Sequence, residues 1–101
     1  MINPNVHLVE NISDASKLEH LPTRDGYGRG VVVAGERDER VVVITADLVE
    51  STRSHWFAEK FPERFIEVGV AEQNLAVVAA GMAVYGKIPF IVSYARPATR
   101  W

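Results

Sequence analysis

Phe65-Ile-Glu-Val-Gly-Val-Ala-Glu-Gln-Asn-Leu-Ala-Val-Val-Ala-Ala-Gly-Met-Ala-Val-Tyr-Gly-Lys-Ile-Pro-Phe-Ile-Val-Ser-Tyr94 reads as strand, turn, helix, strand. Phe65, Ile66 and Val68 are aromatic or β-branched, and Gly69 lets the chain turn. From Leu75 to Tyr85 the residues are apolar or small almost all round, which predicts a buried helix. Glu72, Gln73 and Asn74 are its one polar group, and they fall at its start, just past the carboxyl end of a strand. In an open parallel sheet that is where ligands bind. The same position has a plain structural explanation, because the free N–H groups and the macrodipole of a helix start stabilise a carboxylate.

Working outward, Val41-Val42-Val43-Ile44-Thr45 is a short continuous β-branched run, the pattern of a strand covered on both faces, and it predicts the central strand. Asp47 follows its carboxyl end, placed either for binding or for a local turn with nearby backbone N–H groups. Thr23 is positioned to cap a helix that starts near Arg24 and runs to about Arg37. Its glycines at 26, 28, 30 and 35 are poor helix formers, so their benefit must be close approach to a neighbour. Gly26-Tyr27-Gly28-Arg29-Gly30 is not read as a phosphate loop, since no strand precedes it. Ser51, Thr52 and Ser54 are alternative caps for a helix through His55 to Phe61, ended by Pro62. Phe57 and Phe61, four apart, belong to its core face, and His55 is read as solvated. Helix and strand alternate with short connections, which predicts a three-stranded parallel sheet in three layers. Its last strand, Ile88 to Tyr94, is left with an open edge that invites association.

The chain has 101 residues, 48% of them hydrophobic, enough for one small core. A net charge of -2 leaves no electrostatic footprint for nucleic acid or an anionic membrane. With no cysteine there is no disulfide or thiolate chemistry, and three scattered histidines lack the spacing of a zinc site. Residues 1–20 carry no basic stretch followed by an apolar core, and no apolar run reaches membrane-spanning length, which predicts a cytoplasmic location.

Phe61-Pro62-Glu63-Arg64-Phe65, Gly69-Val70-Ala71-Glu72-Gln73-Asn74, Ala79-Ala80-Gly81 and Gly86-Lys87-Ile88-Pro89-Phe90 stand in an order and spacing that resembles the pyrimidine-binding domain of transketolases. The likeness is greatest to the separate carboxyl-side subunit of split transketolases, and the same region of deoxyxylulose phosphate synthase is similar. Thr23 to Gly28, Ala46-Asp47-Leu48 and Ser51-Thr52 extend the resemblance over most of residues 23–95. It implies an α/β chain forming the first half of that domain. The expected layout is a lead-in arm over residues 1–22, a partial pyrimidine-binding domain over 23–95 and a divergent tail over 96–101.

The resemblance implies thiamine diphosphate as cofactor and two-carbon ketol transfer between sugar phosphates as the reaction. In such enzymes a carboxyl group hydrogen-bonds a ring nitrogen of the aminopyrimidine, and that carboxyl matches Glu72. Glu72, Asp47 and Tyr94 are the candidate cofactor contacts, with Glu72 catalytic. The family holds the diphosphate and its magnesium ion on another domain through a Gly-Asp-Gly-type motif, which this sequence lacks. A diphosphate-domain partner chain, in a homo- or hetero-oligomer, is therefore expected. Pro97 stands where the family pattern has an aromatic that stacks on the pyrimidine ring. A second reading is accordingly a truncated, non-catalytic remnant that keeps the fold and binds only a partner chain. A third is an unrelated small α/β module that binds a nucleotide at its strand ends.

Overall fold

The computed structural model describes residues 3–94. Its six main elements are α1 (Thr23–Arg37), β1 (Val41–Thr45), α2 (His55–Lys60), β2 (Phe65–Glu67), α3 (Glu72–Val84) and β3 (Ile88–Val92). The three strands form one parallel sheet in the order β2-β1-β3. Val43 pairs with Phe65 on one side and with Phe90 on the other, so β1 is central, as its unbroken β-branched run predicts. All five of its residues are buried. The arrangement is α/β in three layers, and alternate side chains of β1 serve the two outer ones. Val41 and Val43 join Val31 of α1 and Phe57 of α2, while Ile44 joins Leu75 and Ala79 of α3.

The chain steps from β1 to its neighbour β2 through α2, then returns across β1 to β3 through α3. Two crossovers of the same hand running in opposite directions along a sheet put their helices on opposite faces, and that is where α2 and α3 lie. The loops after β1 and β2 therefore part to opposite faces and leave a crevice between the two strand ends.

Close helix packing accounts for two of the four glycines in α1. A Cβ on Gly28 would come within 2.5 Å of the Trp56 ring, and one on Gly35 within 2.7 Å of the Phe57 ring. At Gly26 and Gly30 a Cβ would meet nothing within 4 Å, so close approach does not explain them. Gly28→Ala is expected to destabilise the chain by about 1–3 kcal/mol through overpacking. Gly30→Ala is expected to be neutral or mildly stabilising, because alanine is the better helix former. Thermal denaturation of the pair checks this contrast. Arg64 adds a second clamp on the same side. Its guanidinium lies 3.9 Å from the centroid of the Phe61 ring and donates to the carbonyls of Gly35 at 3.0 Å and Asp38 at 3.2 Å. It thereby satisfies carbonyls that the end of α1 leaves free.

Several expectations from the sequence need correcting. Helix α3 is buried along one stripe only, at Leu75 and Ala79, whereas Val77 is 69% and Val84 89% exposed. A lone sheet covers only one side of a helix, so an apolar circumference leaves the other side bare. Pro22, not Thr23, occupies the cap position of α1, and its carbonyl accepts the N–H of Asp25. Proline supplies the extended φ a cap needs and has no N–H to satisfy. Ser54 caps α2 by position without a side-chain cap bond, its hydroxyl being 2.9 Å from that of Thr52. His55 is not solvated: it is half-buried, and its Nδ1 is enclosed without a partner. Strand β2 ends at Glu67, one residue short of Val68. The expectations for residues 96–101, Pro97 included, lie outside the described residues.

Candidate functional site

Glu72 is the first residue of α3, after the cap residue Ala71, and stands just beyond the carboxyl end of β2. It is half-buried, and among the described residues no hydrogen bond or ion pair engages its carboxylate. Directly behind it the helix is apolar, with Leu75 fully buried. The carboxylate thus keeps an unspent hydrogen-bonding capacity among the described residues.

Asp47 lies across the crevice, two residues past β1, and is one of two non-glycine residues with positive φ among the described ones, at 59°. Its side chain is exposed and makes no hydrogen bond among the described residues, so the local turn considered from the sequence does not form. Its backbone N–H instead donates to Oε1 of Glu67 at 2.7 Å. The same oxygen accepts the N–H of Gly69, also at 2.7 Å, where φ is 73°. Glu67 was not legible as a site residue. The available signal was an acidic side chain at the last position of a strand that is otherwise apolar.

Tyr94 falls elsewhere. It is 52% exposed and lines an open cleft of about 600 Å3 between the end of β3, the start of α1 and the loop after β1. Arg24, Tyr27, Ser51 and Thr52 line the same cleft. Asp47 borders a separate shallow recess of about 430 Å3 with Leu48 to Ser51. The fold therefore gathers Asp47 and the Glu72 loop around Glu67, and sets Tyr94 in the neighbouring cleft.

Among the described residues, four polar side-chain atoms are enclosed without partners: the Tyr27 hydroxyl, Thr45 Oγ1, His55 Nδ1 and Ser93 Oγ. Three of them, on Thr45, Ser93 and Tyr27, belong to the ends of β1 and β3 and to the helix lying over them. Burial pushes the Tyr27 phenol above its ordinary value of 10.0, and the Ser54 hydroxyl pulls it back in part without reaching hydrogen-bonding geometry. A phenol whose folded pKa is raised favours the folded state fully below its unfolded pKa and loses that contribution as pH rises through the folded value. Tyr27→Phe is expected to leave stability at neutral pH unchanged or higher, since it removes an unsatisfied buried hydroxyl. It should also weaken the alkaline loss that begins near pH 10, as thermal melts across that range would show.

Among the described residues no group of three His, Cys, Asp or Glu is placed to hold a metal ion, and no helix is long and apolar enough to cross a membrane.

Comparison with known proteins points one way. The family described as transketolase, pyrimidine binding domain, matches residues 19–96. A putative transketolase C-terminal section of Methanocaldococcus jannaschii is 49% identical over 71 residues, covering 70% of this chain and 22% of that protein. A 1-deoxy-D-xylulose-5-phosphate synthase of Nitratidesulfovibrio vulgaris is 41% identical over 75 residues, covering 73% and 12%. A 6-deoxy-6-sulfo-D-fructose transketolase subunit of a Clostridium species is 42% identical over 84 residues, covering 83% and 26%. Among solved structures, a split gene transketolase described as an inactive beta4 tetramer superposes with a TM-score of 0.64 at 49% identity, covering 71% of this chain and 24% of that one. The chain thus spans about a quarter or less of the length of these relatives.

Proposed function

The chain belongs to the transketolase pyrimidine-binding domain family, and from that premise we propose that it supplies the aminopyrimidine half of a thiamine diphosphate site for two-carbon ketol transfer. The observation that carries this reading is Glu72: half-buried, without a partner among the described residues and set at the first position of α3 beside the crevice of the sheet. A carboxyl there is placed to donate a hydrogen bond to a ring nitrogen of the aminopyrimidine. Asp47 follows the end of the neighbouring strand and borders a shallow recess there, and Tyr94 offers an aromatic surface from the adjacent cleft.

The residues present fit the pyrimidine end of the cofactor, which is uncharged and needs a few directed hydrogen bonds beside an apolar wall. Thiamine diphosphate, when bound, supplies the carbon nucleophile and electron sink for the transferred fragment. In this proposal the diphosphate and magnesium are held by a partner chain, sugar phosphate is the substrate of the assembled enzyme, and the location is cytoplasmic. The split-gene relatives support the partner. The limits of the functional unit follow the layout expected from the sequence, residues 23–95 between an arm and a tail.

Calorimetric titration of thiamine diphosphate with magnesium tests the reading. Binding is expected to a mixture of this chain with a diphosphate-domain subunit of a split transketolase, and to be far weaker to either chain alone. If the mixture binds no better than the diphosphate-domain subunit by itself, the reading fails.

A further inference from the structure

We propose that Glu67 is a positioning residue, whose carboxylate ties the loop carrying Asp47 to the loop carrying Glu72 and so sets their relative placement. A single oxygen, Oε1, accepts both the Asp47 N–H and the Gly69 N–H, each at 2.7 Å. The bond to Gly69 is local, two residues along, but the bond to Asp47 spans twenty residues of sequence. Strand register brings it about: Glu67 pairs with Thr45, which puts its side chain level with the first residues past β1.

The two bonds are solvent-exposed, and it is the backbone of their donors that sets the bridge apart. Asp47 and Gly69, the two donors, both lie in the left-handed region, with φ of 59° and 73°. For aspartate that backbone is uncommon and persists where its surroundings hold it. A charged acceptor is also stronger than a neutral one, so one carboxylate can hold two such turns together. Gly69 lies three residues before Glu72, so fixing its N–H fixes the entry of the chain into α3. The claim that this placement serves cofactor binding rests on the reading of Glu72 and Asp47 given above. The bridge itself does not.

The test is amide hydrogen exchange by NMR on the full chain as wild type, Glu67→Ala and Glu67→Gln. In Glu67→Ala the amides of Asp47 and Gly69 are expected to exchange about tenfold faster or more. The amides of Val43 and Leu75, in the core of β1 and α3, are expected to keep their protection, and the Glu72 resonance should shift with the two loops. Glu67→Gln retains an acceptor oxygen and is expected to restore most of the protection. Unchanged exchange at Asp47 or Gly69 in Glu67→Ala overturns the bridge. Equal acceleration at Val43 and Leu75 also overturns it, because that is general loss of stability. In a complex with a diphosphate-domain subunit, Glu67→Ala should lower kcat at saturating cofactor, with substantial recovery in Glu67→Gln. Unchanged kcat beside an active wild type overturns the positioning role. An inactive wild-type complex counts instead against the reading of the site, and leaves the bridge to be judged by exchange.

Discussion

Incubated alone with thiamine diphosphate, magnesium and a ketose phosphate donor, the chain is expected to give no ketol transfer, and a diphosphate-domain subunit is expected to restore it. The reason lies in the charge of the crevice. Asp47, just past β1, and Glu67, at the end of β2, put two carboxylates beside the gap between these strands. A diphosphate needs the opposite surroundings: cations, a metal ion and N–H donors that offset its negative charge. In the proposed reading the gap takes the uncharged pyrimidine, and a second surface on a partner chain holds the diphosphate. The same preparation is expected to sediment as an oligomer, because the exposed Val77 and Val84 of α3 and the edge of β3, which pairs with no further strand among the described residues and leaves Phe90 and Ile91 partly bare, put apolar surface in water. A coupled assay for ketol transfer, with contaminating transketolase excluded, checks the first expectation. Turnover by the chain alone would contradict it.

The layers of the fold were legible because each rests on a short-range pattern. Five β-branched residues in a row can be satisfied only by cover on both faces, and Val41 to Thr45 received it. Phe57 and Phe61, four apart, stack at 5.1 Å on the face the helical period assigns them. The exposed side of α3 was not legible, since an apolar circumference states that a helix wants cover without stating how many neighbours are there to provide it. Gly28 and Gly35 followed the close-packing argument while Gly26 and Gly30 did not, because only the first two face α2 and its exit. At the site, the place of Glu72 after a strand and before an apolar helix was legible as a signal local in sequence, whereas its proposed role came from the family resemblance. The Glu67 bridge to Asp47 depends on the register of two strands twenty residues apart, which a single sequence does not display. Tyr94 lies in the neighbouring cleft for a similar reason: β3 is on the far side of β1 from β2, an order set by the α3 crossover.

Glu72→Gln in the reconstituted complex is expected to cost about a hundredfold or more in turnover while cofactor affinity changes little. The amide keeps the size of the side chain and an N–H that reaches the same ring nitrogen, so the pyrimidine still binds. The amide lacks the acidic proton, and with it the capacity to shift the tautomer of the ring. Folding should be almost unaffected, because a carboxylate at this helix start contributes at most about 1 kcal/mol through the dipole. Were Glu72 only a helix-start residue, the pattern would reverse, with a small loss of stability and no loss of turnover. Steady-state kinetics of the Glu72→Gln complex at saturating thiamine diphosphate therefore bears most directly on the proposed role: kcat is predicted to fall by about two orders of magnitude or more, and a near-wild-type kcat would contradict it.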